Sequence, residues 1–194
     1  MIPRFIVLLV ILGSLSSCHH SPRKHYFILS STAIHSQSGE NIKQVIGMGP
    51  VEIAEFIDRL PIVYRRADNT LLVSENDYWA EPLDKGIARV LAANLVARNS
   101  SRSFAHFPWR SDSKPPYSLR LQVHNLECGD RAASIDATWE LIDNRSKASL
   151  QRRHFVRSLP AQPNPQTLAQ TYSQLLVELA LEMDQALNTL PPTE

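Results

Sequence analysis

Two long segments in the second half of the chain alternate strictly between apolar and polar residues. On one side they place Tyr117, Leu119, Leu121 and Val123, and then Ala133, Ile135, Ala137, Trp139 and Leu141. Because successive side chains of a strand point to opposite faces, this alternation predicts two strands of a sheet. One face of that sheet is expected to be dry and the other wetter.

Two apolar stripes with helical spacing are predicted to supply the helices that pack on such a sheet. The first begins after Pro82 and comprises Leu83, Ile87, Val90, Leu91 and Leu95. The second runs from Leu168 to Leu190, with Asn164 suited to the N-cap and Pro165 to the first helical position. A stripe of this kind more often packs in a core than binds a partner helix.

The shorter strands predicted are Tyr26–Leu29, Val45–Ile53, Ile62–Arg65, Thr70–Ser74 and Ser149–Arg157. The first is apolar at every position, which predicts packing on both faces. Pro50 cannot donate to a ladder, so its strand is expected to bend there or to lie at an edge. Gly47 and Gly49 in the same strand indicate a bulge or a close approach by other backbone. Asn69 suits the positive-φ position of a hairpin turn, and the arginine-rich last segment indicates a solvated or edge strand.

The N-terminus has the layout of a secretory signal: Arg4, an apolar run from Phe5 to Leu12, and then Leu15-Ser16-Ser17-Cys18. The apolar run is shorter than the roughly 20 helical residues that a bilayer requires. Leucine, two small residues and cysteine resemble the lipobox of bacterial lipoproteins, whose cysteine is acylated. An ordinary secretory signal with a chance cysteine is the alternative. We therefore expect a signal peptide over 1–17, a lipidated tether over 18–24 and a single folded domain over 25–194.

Composition excludes several classes of function. Removing the leader with Arg4 leaves 19 basic and 19 acidic residues, and this balance does not favour a nucleic-acid-binding protein. Cys128 is the second of two cysteines and is expected to be buried filler and not a reactive thiol. The pair His19-His20 has no further ligands around it, so no metal is predicted. No nucleophile elbow, Cys-x-x-Cys, His-Glu-x-x-His or phosphate-binding loop is present, so we predict neither catalysis nor a cofactor.

One series of motifs resembles a known family. The motif positions are Tyr26-Phe27-Ile28-Leu29, Gly47-Met48-Gly49-Pro50-Val51, Ile57-Asp58-Arg59-Leu60-Pro61-Ile62-Val63, Asn69 with Leu71, Trp79-Ala80-Glu81-Pro82-Leu83, Arg89, Leu91 and Asn94-Leu95. They resemble the ABC-type transport auxiliary lipoproteins, also called PqiC-like or YmbA-like. The specific motifs lie within residues 47–95. Leu60-Pro61 stands where the family usually has Pro-Gln, and Tyr78 stands where Arg often precedes the tryptophan.

The resemblance implies a fold and a function. The family fold is a three-layer α/β/α sandwich with a mixed sheet and two main helices, like the N-terminal domain of TolB. The implied function is that of a non-enzymatic, lipid-anchored component of an intermembrane lipid transport system. Its implied partners are an MCE-domain protein that spans the periplasm and the inner-membrane permease of that system, and ring-like homo-oligomers are implied as well. His19 after the lipidated cysteine favours the outer membrane, with the domain facing the periplasm.

Five residues are candidates for partner binding: Asp58, Arg59, Trp79, Glu81 and Pro82. Tryptophan and arginine beside a loop are residue types that dominate interface hot spots. In the alternative interpretation, Trp79 fills the core and Asp58 and Arg59 fix a turn. An alternative for the whole protein is a structural envelope lipoprotein that assists assembly of another outer-membrane complex. A periplasmic hydrolase would need a clustered nucleophile and base, which the sequence does not offer.

Overall fold

The computed structural model of the chain describes residues 22–31, 42–65, 69–129 and 131–191. The predicted leader, Cys18 and residues 32–41 lie outside the described residues. The strands are β1 (His25–Phe27), β2 (Gln44–Ile53), β3 (Pro61–Arg65), β4 (Leu71–Trp79), β5 (Arg102–His106), β6 (Tyr117–Cys128), β7 (Ala132–Asp143) and β8 (Ala148–Pro160). The helices are α1 (Leu83–Arg98) and α2 (Pro165–Leu187), with a short 3-10 turn at Ser111–Ser113.

The larger sheet has five strands in the order β5-β2-β6-β7-β8. β2 pairs in parallel with β5 and β6, whereas β6, β7 and β8 form an antiparallel meander. The alternation predicted for β6 and β7 is confirmed, since Leu119, Leu121, Ile135 and Trp139 are all buried. The arginine-rich segment is the edge strand β8, as predicted, with exposed arginines and one buried aromatic residue, Phe155.

The predicted mixed α/β fold with two main helices is confirmed. Helix α1 packs on β2 and β5, α2 packs on β7 and β8, and the helices pack against each other. Both therefore lie on one face of the five-stranded sheet. The opposite face carries polar side chains such as Arg120, Gln122 and Thr138, which need no apolar cover.

The predicted starts of both helices are confirmed, whereas α2 ends at Leu187 and not at Leu190. In α1 the five stripe residues, Leu83 to Leu95, are buried, and the helix begins immediately after Pro82. Helix α2 begins at Pro165, where the Asn164 side chain accepts a hydrogen bond from the backbone N–H of Thr167 at 2.9 Å. An asparagine cap satisfies one of the free N–H groups at a helix start, which explains the sharp beginning of α2.

A second, smaller sheet has three strands in the order β1-β4-β3. The hairpin of β3 and β4 turns through Asn69, whose φ of 63° confirms the predicted positive-φ position. The prediction that Tyr26–Leu29 is a strand packed on both faces is wrong. Only His25–Phe27 is strand, at an edge of the sheet, and Tyr26 is 64% exposed. An apolar run alone does not distinguish a buried strand from an apolar edge that faces outward.

Strand β2 lies inside the sheet, between β5 and β6, and is bent at Pro50. Of the two predicted alternatives, the bend is therefore confirmed and the edge position is not. Its register with β6 shifts between Met48 and Val51, and the Gly49–Pro50 peptide is cis. A bulge lets the sheet accommodate a residue that has no N–H to donate.

A buried ion pair joins the start of β5 to the last turns of α2. The guanidinium of Arg102, at the start of β5, donates to Asp184 Oδ1 of α2 at 2.7 Å, and both side chains are almost completely buried. Arg98 at the end of α1 donates to the other carboxylate oxygen at 2.9 Å. Arg102 also donates to Asn188 and to Gln44. The pair therefore connects β2, β5 and both helices.

Candidate functional site: the motif cleft

A cleft of about 410 Å³ opens between the middle of β2 and the first half of α1. Its lining residues are Met48, Gly49, Pro50, Val51, Glu81, Asp84, Lys85, Ala88, Arg89, His106 and Phe107. We call it the motif cleft, because the glycine-proline motif of β2 and the Glu-Pro motif before α1 both contribute to it. Two segments that are far apart in the sequence thus meet at one surface.

The β2 side of the cleft depends on glycine. Gly49 has a φ of 113°, a conformation that side chains with a Cβ rarely adopt. A Cβ placed there would lie 2.9 Å from Cβ of Phe107. The backbone N–H of Phe107 donates to the Met48 carbonyl at 3.0 Å. Gly49 therefore lets Phe107 lie against the bend in β2.

Gly47 makes room in the same way for Trp109, since an added Cβ would lie 2.5 Å from the indole ring. Phe107 and Trp109 contact each other edge to face, with ring centroids 5.3 Å apart. The close approach predicted at the two glycines is thus made by aromatic side chains and not by other backbone. The bulge predicted as its alternative is also present.

The α1 side of the cleft is organised by an ion pair between Glu81 and Arg89. Arg89 Nε donates to Glu81 Oε1 at 3.1 Å, and Arg89 Nη2 contacts the same oxygen. Arg89 Nη2 also donates to the Leu29 carbonyl at 2.8 Å, so the pair ties α1 to the segment after β1. Gly86 leaves room for the Glu81 carboxylate, which would lie 3.2 Å from a Cβ at that position. Both charged side chains stay partly exposed at the rim.

The cleft combines an apolar interior with a rim of mixed charge. Met48, Pro50, Val51 and Ala88 supply apolar surface, and Phe107, which is 44% exposed, stands at its edge. Asp84 and Lys85 form a second ion pair on the rim at 3.2 Å. An apolar centre with a polar rim is the arrangement found at protein interfaces. A buried aromatic or aliphatic anchor of a partner is the kind of group that such a cleft accepts.

The five predicted binding residues are not brought together. Glu81 lines the motif cleft, and Pro82 is exposed in the next position, where it precedes the first turn of α1. Asp58 and Arg59 lie in the turn after β2 with exposed side chains, outside the cleft. Their backbone N–H groups bond to Ala54 and Ile57, whereas their side chains have no partner among the described residues.

Trp79 is a core residue. It is 5% exposed, and its ring stacks on Tyr172 of α2 with centroids 6.3 Å apart. Its backbone N–H donates to the Leu60 carbonyl at 2.7 Å, which anchors the end of β4. A side chain with so little exposed surface offers nothing to a partner, so the core interpretation of Trp79 holds and its predicted contact role is withdrawn.

Among the lining residues only Glu81 was predicted as a binding residue, and neither His106 nor Phe107 was. The sequence alone does not show that Phe107 is exposed, which becomes evident once β5 is seen to end at His106. A signal did exist, since two aromatic residues flank Pro108 in a loop. Exposed aromatic residues in a loop are typical of binding surfaces.

Two tyrosines of the core and its edge, Tyr172 and Tyr64, have raised pKa values. Burial raises the pKa of Tyr172 well above its ordinary value, and the nearby Cys128 adds to this effect. Burial also raises the pKa of Tyr64, with Asp77 as the second cause. Cys128 itself is buried, as predicted.

Neither a metal centre nor a membrane-spanning helix is found in the described part of the chain. Among those residues, no three histidine, cysteine or carboxylate side chains gather where they could hold an ion. No helix in the described ranges is both long enough and apolar enough to cross a bilayer.

Two solved structures share the fold of this chain. A solved structure of an uncharacterised protein superimposes with a TM-score of 0.67 at 19% identity, covering 86% of this chain and 99% of its own. A Xanthomonas campestris protein of the family DUF330 gives a TM-score of 0.63 at 16% identity, covering 84% of this chain and 93% of its own. These likenesses show the fold. No curated protein matches the chain.

The sequence model of one family extends over nearly all of the folded part. It is described as the ABC-type transport auxiliary lipoprotein component, and it matches residues 27–184. The match includes both motif segments of the cleft. It describes a class of transport auxiliary lipoproteins, which is not a class of enzymes. The chain therefore belongs to the ABC-type transport auxiliary lipoprotein family.

Proposed function

We propose that this protein is the lipid-anchored component of an ABC/MCE-type intermembrane lipid transport system and binds the periplasm-spanning MCE protein at the outer membrane. In this proposal the signal peptide ends at residue 17, Cys18 carries the lipid, and the folded domain faces the periplasm. The family assignment supports a membrane-anchored transport auxiliary. The MCE partner, its inner-membrane permease, the outer-membrane location and a ring-like assembly are parts of the proposal.

The observation that carries the proposal is the convergence of two motif segments on one open cleft. Residues 48–51 and several residues of the segment 81–89 line the same cleft, although the two segments are far apart in the sequence. The Glu81–Arg89 pair holds the rim, and Phe107 offers exposed aromatic surface beside it. A protein partner that inserts an apolar side chain would bury this surface. The exposed Asp58 and Arg59 are proposed as peripheral contacts.

The test is co-purification of the MCE protein with the full-length, tagged chain from detergent-solubilised membranes. Phe107→Asp places a charge at the cleft, and we expect it to abolish the MCE band. The control is Leu181→Asp, which changes an equally exposed apolar residue on α2, outside the cleft. An MCE band that survives Phe107→Asp would overturn the assignment of the cleft.

The lipid anchor is tested separately. Mass spectrometry of the mature N-terminus should show an acylated Cys18, and Cys18→Ser should release the chain from the membrane fraction. An unacylated terminus would contradict the proposal. Recovery of a different outer-membrane complex, with no MCE protein, would favour the alternative of a structural envelope lipoprotein.

A further inference from the structure

The N-terminal end of β4 exposes three consecutive apolar residues. Leu71, Leu72 and Val73, which we call the hairpin tip, are 41%, 46% and 38% exposed. Since neighbouring side chains of a strand point to opposite faces, both faces of β4 are apolar and open at this end. Runs of exposed apolar residues on a folded domain usually mark a contact surface.

The direction of β1 relates this tip to the lipid anchor. β1 runs parallel to β4, with His25 opposite Asp77 and Phe27 opposite Trp79. The chain upstream of His25 therefore leaves the small sheet toward the end of β4 that carries the hairpin tip. Cys18 precedes His25 by seven residues, which span at most about 25 Å when extended. The proposed lipid and the hairpin tip thus belong to the same end of the domain.

The face of the small sheet near β1 carries groups that suit a lipid headgroup layer. Tyr26 is mostly exposed and lies against Tyr78, with ring centroids 5.8 Å apart. The ammonium of Lys24 lies 5.2 Å from the centre of the Tyr78 ring. Tyrosine and lysine have apolar stems and polar ends, and both are favoured at the boundary between lipid and water.

We infer that the hairpin tip Leu71–Val73 enters the headgroup and upper acyl region of the bilayer that holds the lipid anchor, with Tyr26, Tyr78 and Lys24 at the level of the headgroups. This inference rests on the proposed lipidation of Cys18. The contact fixes the orientation of the domain on the membrane, because a flexible acylated tether alone would let it rotate. The motif cleft on α1 would then have a constant direction relative to the membrane.

The test uses the full-length, lipidated chain in vesicles of phosphatidylethanolamine and phosphatidylglycerol, with an environment-sensitive fluorophore on Leu72→Cys. Cys128 is changed to Ala in this background so that only the new thiol is labelled. The control is the same label on Leu181→Cys, a leucine of similar exposure on α2. We expect a blue shift and strong quenching by shallow spin-labelled lipid at position 72 and neither effect at position 181. Leu71→Cys repeats the measurement in case the first variant folds poorly.

The outcomes separate this inference from the proposed function. If the chain floats with the vesicles but position 72 is not quenched, the membrane contact is wrong and the anchor stands. If the chain does not float, the anchor and the inference both fail. A blue shift that depends on protein concentration and not on spin-labelled lipid would mean that a second copy covers the tip, which also overturns the inference.

Discussion

On β7 of the five-stranded sheet, Ile135 and Trp139 have no exposed surface, whereas on β4 of the three-stranded sheet Leu72 and Val73 expose more than a third of theirs. Both helices cover one face of the larger sheet, and its open face is polar. The smaller sheet packs on the core through Phe27, Ile62 and Trp79, and its far end is apolar and exposed. The larger sheet is therefore expected to hold most of the folding stability, and the smaller sheet to offer surface for contacts.

The largest effect is expected in the larger sheet. Trp139→Ala removes a fully buried indole that also donates to Glu182 of α2 at 2.9 Å. We expect the free energy of unfolding to fall by about 3–5 kcal/mol, as for other large-to-small changes in a core. Urea unfolding followed by circular dichroism measures it. A loss no larger than that of a surface substitution would contradict the expectation that the larger sheet holds most of the folding stability.

A second large effect is expected at the buried ion pair. Asp184→Asn leaves Arg102 without its carboxylate partner inside the protein. We expect a loss of about 3 kcal/mol in the free energy of unfolding, because an uncompensated buried charge is costly. Arg98→Ala, which removes the more exposed partner of the same carboxylate, is the matched control and should cost about 1 kcal/mol or less. An equal loss of unfolding free energy in both variants would contradict the difference in burial between Arg102 and Arg98.

A smaller effect, of opposite sign, is expected at Tyr172 of α2, whose ring stacks on Trp79 at the end of β4. The Tyr172 hydroxyl is buried and has no hydrogen-bond partner among the described residues. Tyr172→Phe removes this group, and we expect the free energy of unfolding at neutral pH to rise by about 1 kcal/mol. Destabilisation would show that the hydroxyl makes a bond that the structure does not contain.

The same substitution changes the response to alkaline pH. Burial raises the pKa of Tyr172 above that of an unfolded tyrosine, so the unfolded chain loses its phenol proton first. The associated stability is complete below a pH of about 10 and is lost as pH rises from there toward the folded pKa. Tyr172→Phe should therefore weaken the alkaline loss of stability measured by urea unfolding between pH 9 and 11. An unchanged pH profile would contradict this account.

The smallest effect is expected at the hairpin tip. Leu72→Ser changes an exposed residue, so the free energy of unfolding should shift by no more than about 0.5 kcal/mol. The same urea experiment measures it beside Trp139→Ala. A loss comparable to that of Trp139→Ala would mean that Leu72 is buried in solution, and the contrast between the two sheets would disappear.

The elements with a clear period could be predicted from the sequence, and the contacts between segments far apart in the chain could not. The alternation in β6 and β7, the stripes of α1 and α2, and the turn at Asn69 each depend on local residues and were confirmed. Which face of the sheet each helix covers depends on contacts between distant segments. For the same reason the pair between Arg102 and Asp184, which are 82 residues apart, has no local signal.

The candidate site was predicted only in part. The motif positions Gly49 and Glu81 were singled out, and both line the cleft. Trp79 was wrongly considered for contact with a partner, since a tryptophan at a helix start can point either to a core or to a surface. Phe107 was not predicted because its place at the cleft depends on its packing against the bend at Gly49. Residue types alone do not give the shape of such a bulge.

The central claim is that the motif cleft binds the MCE protein of the transport system. The most direct measurement places a photo-activatable amino acid at Phe107 of the full-length chain in growing cells and identifies the crosslinked product by mass spectrometry. The account predicts an adduct with the periplasm-spanning MCE protein, and no such adduct when the same amino acid replaces Leu181. An exposed Phe107 that crosslinks to no MCE protein, or crosslinks to it no more than position 181 does, would contradict the claim.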